Sequence, residues 1–342
     1  MKALYLDHLT KYGLTERPMP TIRSNEVLIK VEYAAICHTD VIIRGGFAPH
    51  GIESFIPGHE FVGTVVACGA EAEHIPIGSR GVVQQIVTCH NCGPCILGHE
   101  HACEHFYELG VGGDGGFAEY CAVPSSNFHI LPDDIDLLDA VLTEPLSNAV
   151  SAVYRAKPLQ TDRVVVVGCG AIGILCAQVA ALFSPKKLVL VGTRDERLEI
   201  GRQACPGVEL VNIRSEGAEE QLKTQLLEGK GADVVIECSG TKSGVEMAMD
   251  LMADYGRVCF EGTLDRSNPV PFTTYSLKVN GTFYGISGWT QQDFFRAFSL
   301  IIDKKIITRP LVTHIFPLEK WEEAFEMATI RKSESMRVLL KP

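Results

Sequence analysis

Two textures of hydrophobic and polar positions divide the chain. Up to about residue 148, short apolar runs of β-type residues (EVLIKVEYAAI, FVGTVVACG, RGVVQQIVT) alternate with Gly- and Pro-containing breaks, and helical periodicity is nearly absent. This pattern predicts irregular, mostly antiparallel strands. From about 149, strands and helical stretches alternate: DRVVVVG, AIGILCAQVAALF, KLVLVG, ERLEIGRQA, then ADVVIECSG, GRVCFEG and GTFYGIS. Apolar strands separated by helices imply a doubly wound parallel sheet covered on both faces. After about 288 the chain turns amphipathic (QDFFRAFSLIIDKKI), passes VTHIFPLEKWEEAFEMA and ends on the strand-like MRVLLKP. This last stretch lies beyond the alternating strands and is expected to return to the first domain. The expected organisation is therefore a mainly β domain over 1–148, a doubly wound α/β domain over 149–287, and a return segment over 288–342.

A length of 342 residues suits two domains, and 46% hydrophobic with 21% charged residues describes an ordinary packed globular protein. The net charge of -11 argues against nucleic-acid or anionic-membrane partners. The opening MKALYLDHLTKYG lacks the apolar core of a secretory signal, and no run of about 18 apolar residues is present. A cytoplasmic small-molecule enzyme is the expectation. Twelve cysteines in such a chain read as reduced thiols or metal ligands. Cys68, Cys121, Cys169, Cys176, Cys205, Cys238 and Cys259 stand singly in apolar segments and read as core residues.

GCGAIG, with Gly168, Gly170, Ala171, Ile172 and Gly173, follows the Val164 to Val167 run and opens a helical stretch. That context makes it a dinucleotide fingerprint: a tight turn, close approach of pyrophosphate to the backbone, and close helix packing at the helix's positive end. An NAD-preferring site carries Asp or Glu about 20 residues further on, at the end of the second strand. Here that strand ends on Gly192, Thr193 and Arg194. The set removes the carboxylate and adds a hydroxyl and a guanidinium, which favours NADP(H) over NAD(H). Asp195 reads as the N-cap of the following helix.

Cys89-x2-Cys92-x2-Cys95-x7-Cys103 places four thiols in a fifteen-residue lobe, enough to close a tetrahedral structural zinc site. His90, His99, His101 and His105 crowd it as substitute ligands, and an iron–sulfur cluster is the rival occupant. A second set is dispersed: Cys37 in ICHTD, His59 and Glu60 in PGHE, and Glu144 in TEPLSNAV. In isolation each of these has an ordinary structural explanation.

Gly58-His59-Glu60-x2-Gly63-x5-Gly69 resembles the zinc signature of medium-chain alcohol dehydrogenases, and ICHTD, DGGFAEY, the cysteine lobe and GCGAIG follow in family order over essentially the whole chain. TEPLSNAV and VIECSG resemble the polyol (sorbitol) and sugar dehydrogenase branch. The resemblance implies a GroES-like catalytic domain beside the Rossmann domain, two Zn2+ per chain, and a homodimer or homotetramer in which GTFYGIS forms a pairing edge strand. It implies Cys37, His59 and either Glu60 or Glu144 as catalytic zinc ligands, with Thr39 hydrogen-bonding the substrate oxygen and taking its proton. Many relatives carry a relay histidine five residues after the cysteine; here Ile42 stands there, leaving His50 or water as the route. The implied reaction is hydride transfer with the secondary alcohol of a small polyol, sugar or alcohol. Threonine, an amino alcohol or a simple alcohol is the alternative substrate. A cofactor-binding structural or regulatory protein is the non-enzymatic alternative. Phe47, Phe55, Phe106 and Tyr107 are candidate loop residues for setting substrate size.

Overall fold

The computed structural model describes residues 1–8, 11–46, 51–52, 54–262, 280–329 and 335–342. Phe47 and His50 lie outside the described residues. The chain forms two compact units, one made of Met1–Glu144, Phe298–Asp303 and Val312–Pro342, the other of Pro145–Ala297 and Lys304–Leu311.

The first unit is built on a seven-stranded sheet. Its spatial order is Val312–Pro317, Arg337–Lys341, Glu26–Ala35, Glu60–Cys68, Arg80–Val83 and Phe128–Ile130, with Tyr120–Pro124 also paired to Glu26–Ala35. All pairings are antiparallel except that between the two C-terminal strands. Alternate residues of the long strand, Val27, Ile29 and Val31, enter a core with Leu4, Phe61 and Phe117. Trp321 and Phe325 of the helix Trp321–Thr329 join the same core. Each such side chain contributes about 1.5–3 kcal/mol on burial, which is what returns the C-terminal segment to this sheet.

The RGVVQQIVT run does not form one strand. It splits into Arg80–Val83 and Ile86–Val87, with Gln84 and Gln85 buried between them. Asn127 causes the break: its Nδ2 donates to the carbonyls of both Gln84 and Ile86 at 2.8 Å, replacing the ladder bonds a partner strand would make.

The second unit contains a six-stranded, wholly parallel sheet ordered Glu209–Asn212, Lys187–Gly192, Arg163–Val167, Ala232–Glu237, Met252–Phe260, Thr282–Gly285. In chain order this is 3-2-1-4-5-6, the doubly wound nucleotide-binding arrangement, with the order reversing beside Arg163–Val167. That central strand is buried along its whole length, as expected of a strand covered on both faces.

The boundaries differ from those read in the sequence. The helix Thr143–Ala156 starts before residue 148, and only its first two residues belong to the first unit. Residues 288–297 and 304–311 group with the second unit. Gln178 ties the latter stretch down, accepting from Ile307 N at 2.7 Å and donating to Ile307 O at 3.0 Å. No apolar period in the sequence reports a side-chain to backbone clamp of this kind.

Candidate active site

Gly168 turns the chain out of its strand at φ +111, and Gly170 caps the helix Ala171–Ala181. A Cβ on Gly173 would lie 1.8 Å from the Gly168 carbonyl oxygen, so only glycine lets this helix approach the turn so closely. Ala171 and Ile172 form the first helical positions. Gly192 ends the next strand, and a Cβ there would meet Cys169 Sγ at 2.3 Å. Packing against Cys169 thus leaves no room for a side chain at this position. Thr193 is exposed and Arg194 half-buried.

The capping expectation for Asp195 is corrected. Arg194 is the N-cap, and Asp195 is the first residue of the helix Asp195–Ala204, its Oδ1 accepting from Asn212 Nδ2 at 2.8 Å. Arg197, which the sequence reading missed, is the third residue of that helix. Burial lowers its pKa, and the Arg194 charge adds to that shift.

In the first unit, Cys37 ends an extended stretch and caps the short helix His38–Arg44, its N–H donating to Asp40 Oδ2 at 2.8 Å. Gly58, at φ +96, leads into His59, and Glu60 opens a central strand. The fold thereby gathers one ligand atom each from Cys37, His59 and Glu60 within 4.8 Å of one another. Glu144 is not in that set. Its Oε1 accepts from Gln85 Nε2 at 2.9 Å. Thr39 Oγ1 lies 3.9 Å from Cys37 Sγ.

Two side chains that the sequence gave little reason to choose complete the surroundings. Asp40, fully buried, faces His59 Nδ1 at 3.6 Å, just beyond hydrogen-bond range. A carboxylate at one imidazole nitrogen fixes the tautomer and leaves the other nitrogen for a metal. Burial would lower the His59 pKa, but the Asp40 charge and the Cys37 thiol outweigh it and raise it well above the ordinary value. Arg337, 277 residues from Glu60, donates from Nη1 to both of its carboxylate oxygens at 3.0 and 3.2 Å. Burial pushes the Glu60 carboxyl up, with Arg337 pulling against it and Glu144 adding to it. Asp40 Oδ1 and His59 Nδ1 are buried without a hydrogen-bond partner. A thiol, an imidazole and a carboxylate gathered this closely fit zinc.

In the lobe, Cys89, Cys92, Cys95 and Cys103 also bring their sulfurs within 4.8 Å of one another. Backbone N–H groups of Cys89 and His105 donate to Cys103 Sγ at 3.4 and 3.3 Å. Backbone donors from Glu104 and Cys95 bring Cys92 down to about 6, while desolvation and the neighbouring thiols push Cys95 up to about 12. The four lobe histidines do not enter the set. Of the aromatic candidates, Phe55 is core, packed with Leu6, Ile43 and Val111, because its backbone bridges to Leu6; it does not line a loop. Phe106 is half-buried and Tyr107 exposed.

Residues 23–133 match the alcohol dehydrogenase GroES-like domain, and residues 171–303 match the zinc-binding dehydrogenase family. An L-threonine 3-dehydrogenase of Bacillus subtilis (strain 168) is 32% identical over 336 residues, covering 96% of this chain and 94% of that protein. The chain belongs to the medium-chain zinc dehydrogenase family. A second relative of this dehydrogenase, a sorbitol dehydrogenase of Halalkalibacterium halodurans, is 29% identical over 97% of this chain and 96% of its own length. A solved structure from E. coli CFT073, described as a short chain alcohol dehydrogenase complexed with cofactor NADH, has 27% identity and a TM-score of 0.87, covering 100% of this chain and 99% of that one. The dehydrogenase is thus an oxidoreductase of the zinc, NAD(P)-linked type. Among its described residues, no helix is long and apolar enough to cross a membrane.

Proposed function

We propose that this dehydrogenase transfers hydride between NADP(H) and the secondary alcohol or ketone of a small polyol or sugar derivative. The observation that carries this reading is the gathered donor set of Cys37, His59 and Glu60, with acidic and amide side chains, Asp40, Glu144 and Gln85, around it. Such surroundings favour hydroxyl donors, and the Arg337 guanidinium is already committed to Glu60. Threonine is the second reading, favoured by the L-threonine 3-dehydrogenase relatives. Its carboxylate would need a cation that Arg337 does not spare.

Cys37, His59 and Glu60 are proposed as the catalytic zinc ligands, Glu144 standing outside the direct shell, and the lobe cysteines as ligands of a structural zinc. Zinc there supplies Lewis acidity toward the substrate oxygen, and the nicotinamide supplies the hydride acceptor. Asp40 holds the His59 ring in orientation. Thr39 Oγ1 takes the proton of the substrate hydroxyl. Ile42, 43% exposed, has no group to pass it on, so water accepts it from Thr39. The fingerprint from Gly168 to Gly173 cradles the pyrophosphate. Gly192, Thr193 and Arg194 receive the ribose 2′-phosphate, supported by Arg197.

An absorbance screen at the reduced-nicotinamide band with polyols, sugars, simple alcohols and threonine, each with NAD and NADP, tests substrate and cofactor together. Polyol oxidation with NADP is expected, and Cys37→Ser is expected to abolish it while preserving cofactor binding. Full activity in that variant would sink the ligand assignment.

A further inference from the structure

Gln85 lies in the break between two strands, and its backbone is held from three sides. Asn127 bonds the carbonyls on either side of it, and Leu109 N–H donates to its own carbonyl at 3.0 Å. The side chain is therefore delivered from a fixed point. It is 3% exposed, and its Nε2 donates to Glu144 Oε1. This bond also fixes the amide's orientation, because the flipped form would set its oxygen against a carboxylate. The amide oxygen is buried without a hydrogen-bond partner. An unmet buried acceptor costs about 1–3 kcal/mol unless water or a ligand supplies a donor. The strand Arg80–Val83 pairs antiparallel with Glu60–Cys68, Val82 lying opposite Val62, so the chain beyond Val83 runs toward the Glu60 end of that strand and brings Gln85 toward the gathered donor set.

We propose that Gln85 Oε1 is a substrate-recognition group, accepting a hydrogen bond from a hydroxyl or ammonium on the carbon next to the one that is oxidised. The inference rests on the dehydrogenase reading above and deepens it: the substrate carries a donor vicinal to its reacting hydroxyl. A site that binds such a donor discriminates against the analogue lacking it, because the amide oxygen is then left buried and unmet.

Three substrates of equal size separate the sources: propane-1,2-diol, 1-aminopropan-2-ol and butan-2-ol, which differ only in a terminal hydroxyl, ammonium or methyl. They are compared on the zinc-loaded full chain and on Gln85→Met, with thermal unfolding to verify that the variant folds and Gln85→Asn as a milder second variant. The kcat/KM preference for the diol, the amino alcohol or both over butan-2-ol is expected to fall about tenfold in Gln85→Met, the effect of one lost hydrogen bond, with butan-2-ol itself little changed. Whichever arm falls names the donor. Calorimetric binding of the same compounds to nucleotide-free protein should show the same selective loss without turnover. Equal loss for all three would make Gln85 only a support for Glu144 or the seat of an ordered water, and would overturn the proposal, as would no change in either measurement. Gln85-dependent binding without any turnover would instead count against the dehydrogenase reading and leave the recognition role standing.

Discussion

Arg197 carries the residue-scale test of cofactor choice. It is the third residue of the helix that Arg194 caps, and both lie just past the strand end at Gly192. Two arginines at the N-terminus of one helix, one capping it and one in its first turn, stand where the positive end of the helix dipole also favours an anion. Arg197→Ser is expected to raise the KM for NADP about tenfold, the scale of one charge-assisted contact, while the KM for NAD moves less than about twofold. Steady-state titration of both cofactors checks this. Equal weakening of the two would assign Arg197 to the packing of its helix. At this scale the missing carboxylate after Gly192 is visible in the sequence itself, where Thr193 and Arg194 follow. Arg197 was not legible there, because its half-buried setting and the influence of the Arg194 charge on it emerge only in the fold. Gln85 and Arg337 were silent for the same reason: each gains its role from a partner distant in sequence.

At the scale of elements, the central strands of the nucleotide sheet are pinned at one end by Arg163 and Asp233. Nε and Nη2 of Arg163 donate to the two carboxylate oxygens at 2.9 Å each, and its backbone N–H adds a third bond at 2.8 Å. Burial pushes the Asp233 carboxyl up, but the Arg163 hydrogen bonds and charge outweigh it and leave it below the ordinary value. A carboxyl depressed in the folded state contributes fully above its unfolded pKa, about 3.9, and the contribution disappears as pH falls through the lower folded value. Asp233→Asn is therefore expected to cost about 1 kcal/mol near neutral pH, with the difference closing below about pH 4. Equilibrium unfolding at several pH values measures it; a gap that persists into acid would mean the bonds, not the charge, matter. The parallel sheet itself was readable, as buried strands leave continuous apolar runs. The split at Gln84 and Gln85 was not, because an apolar run cannot announce that Asn127 will take its ladder bonds.

For the whole molecule, two metal sets of different character give a stoichiometric expectation. Elemental analysis by ICP-MS should find two zinc ions per chain, falling to one in Cys103→Ala with a lowered unfolding temperature, while Cys37→Ser loses the other ion with less effect on stability. A single ion in the intact protein would remove one assignment. We further propose that the Thr282–Gly285 strand, an edge of its sheet among the described residues, pairs copies of the chain; light scattering should give a dimer or tetramer, and a monomer would reject it. The sequence by itself determined the two sheet textures, the glycine fingerprint and the spacing of the four-cysteine lobe, because periodicity, close-packing glycines and short residue spacings are local properties of the chain. Only the tertiary structure decided that Cys37, His59 and Glu60 meet while Glu144 pairs with Gln85, that Arg337 returns from the far end of the chain to Glu60, and that Asp40 lies beside His59. Those facts depend on which strands pair across the sheet, and strand pairing brings together charges whose interaction no single stretch of sequence contains.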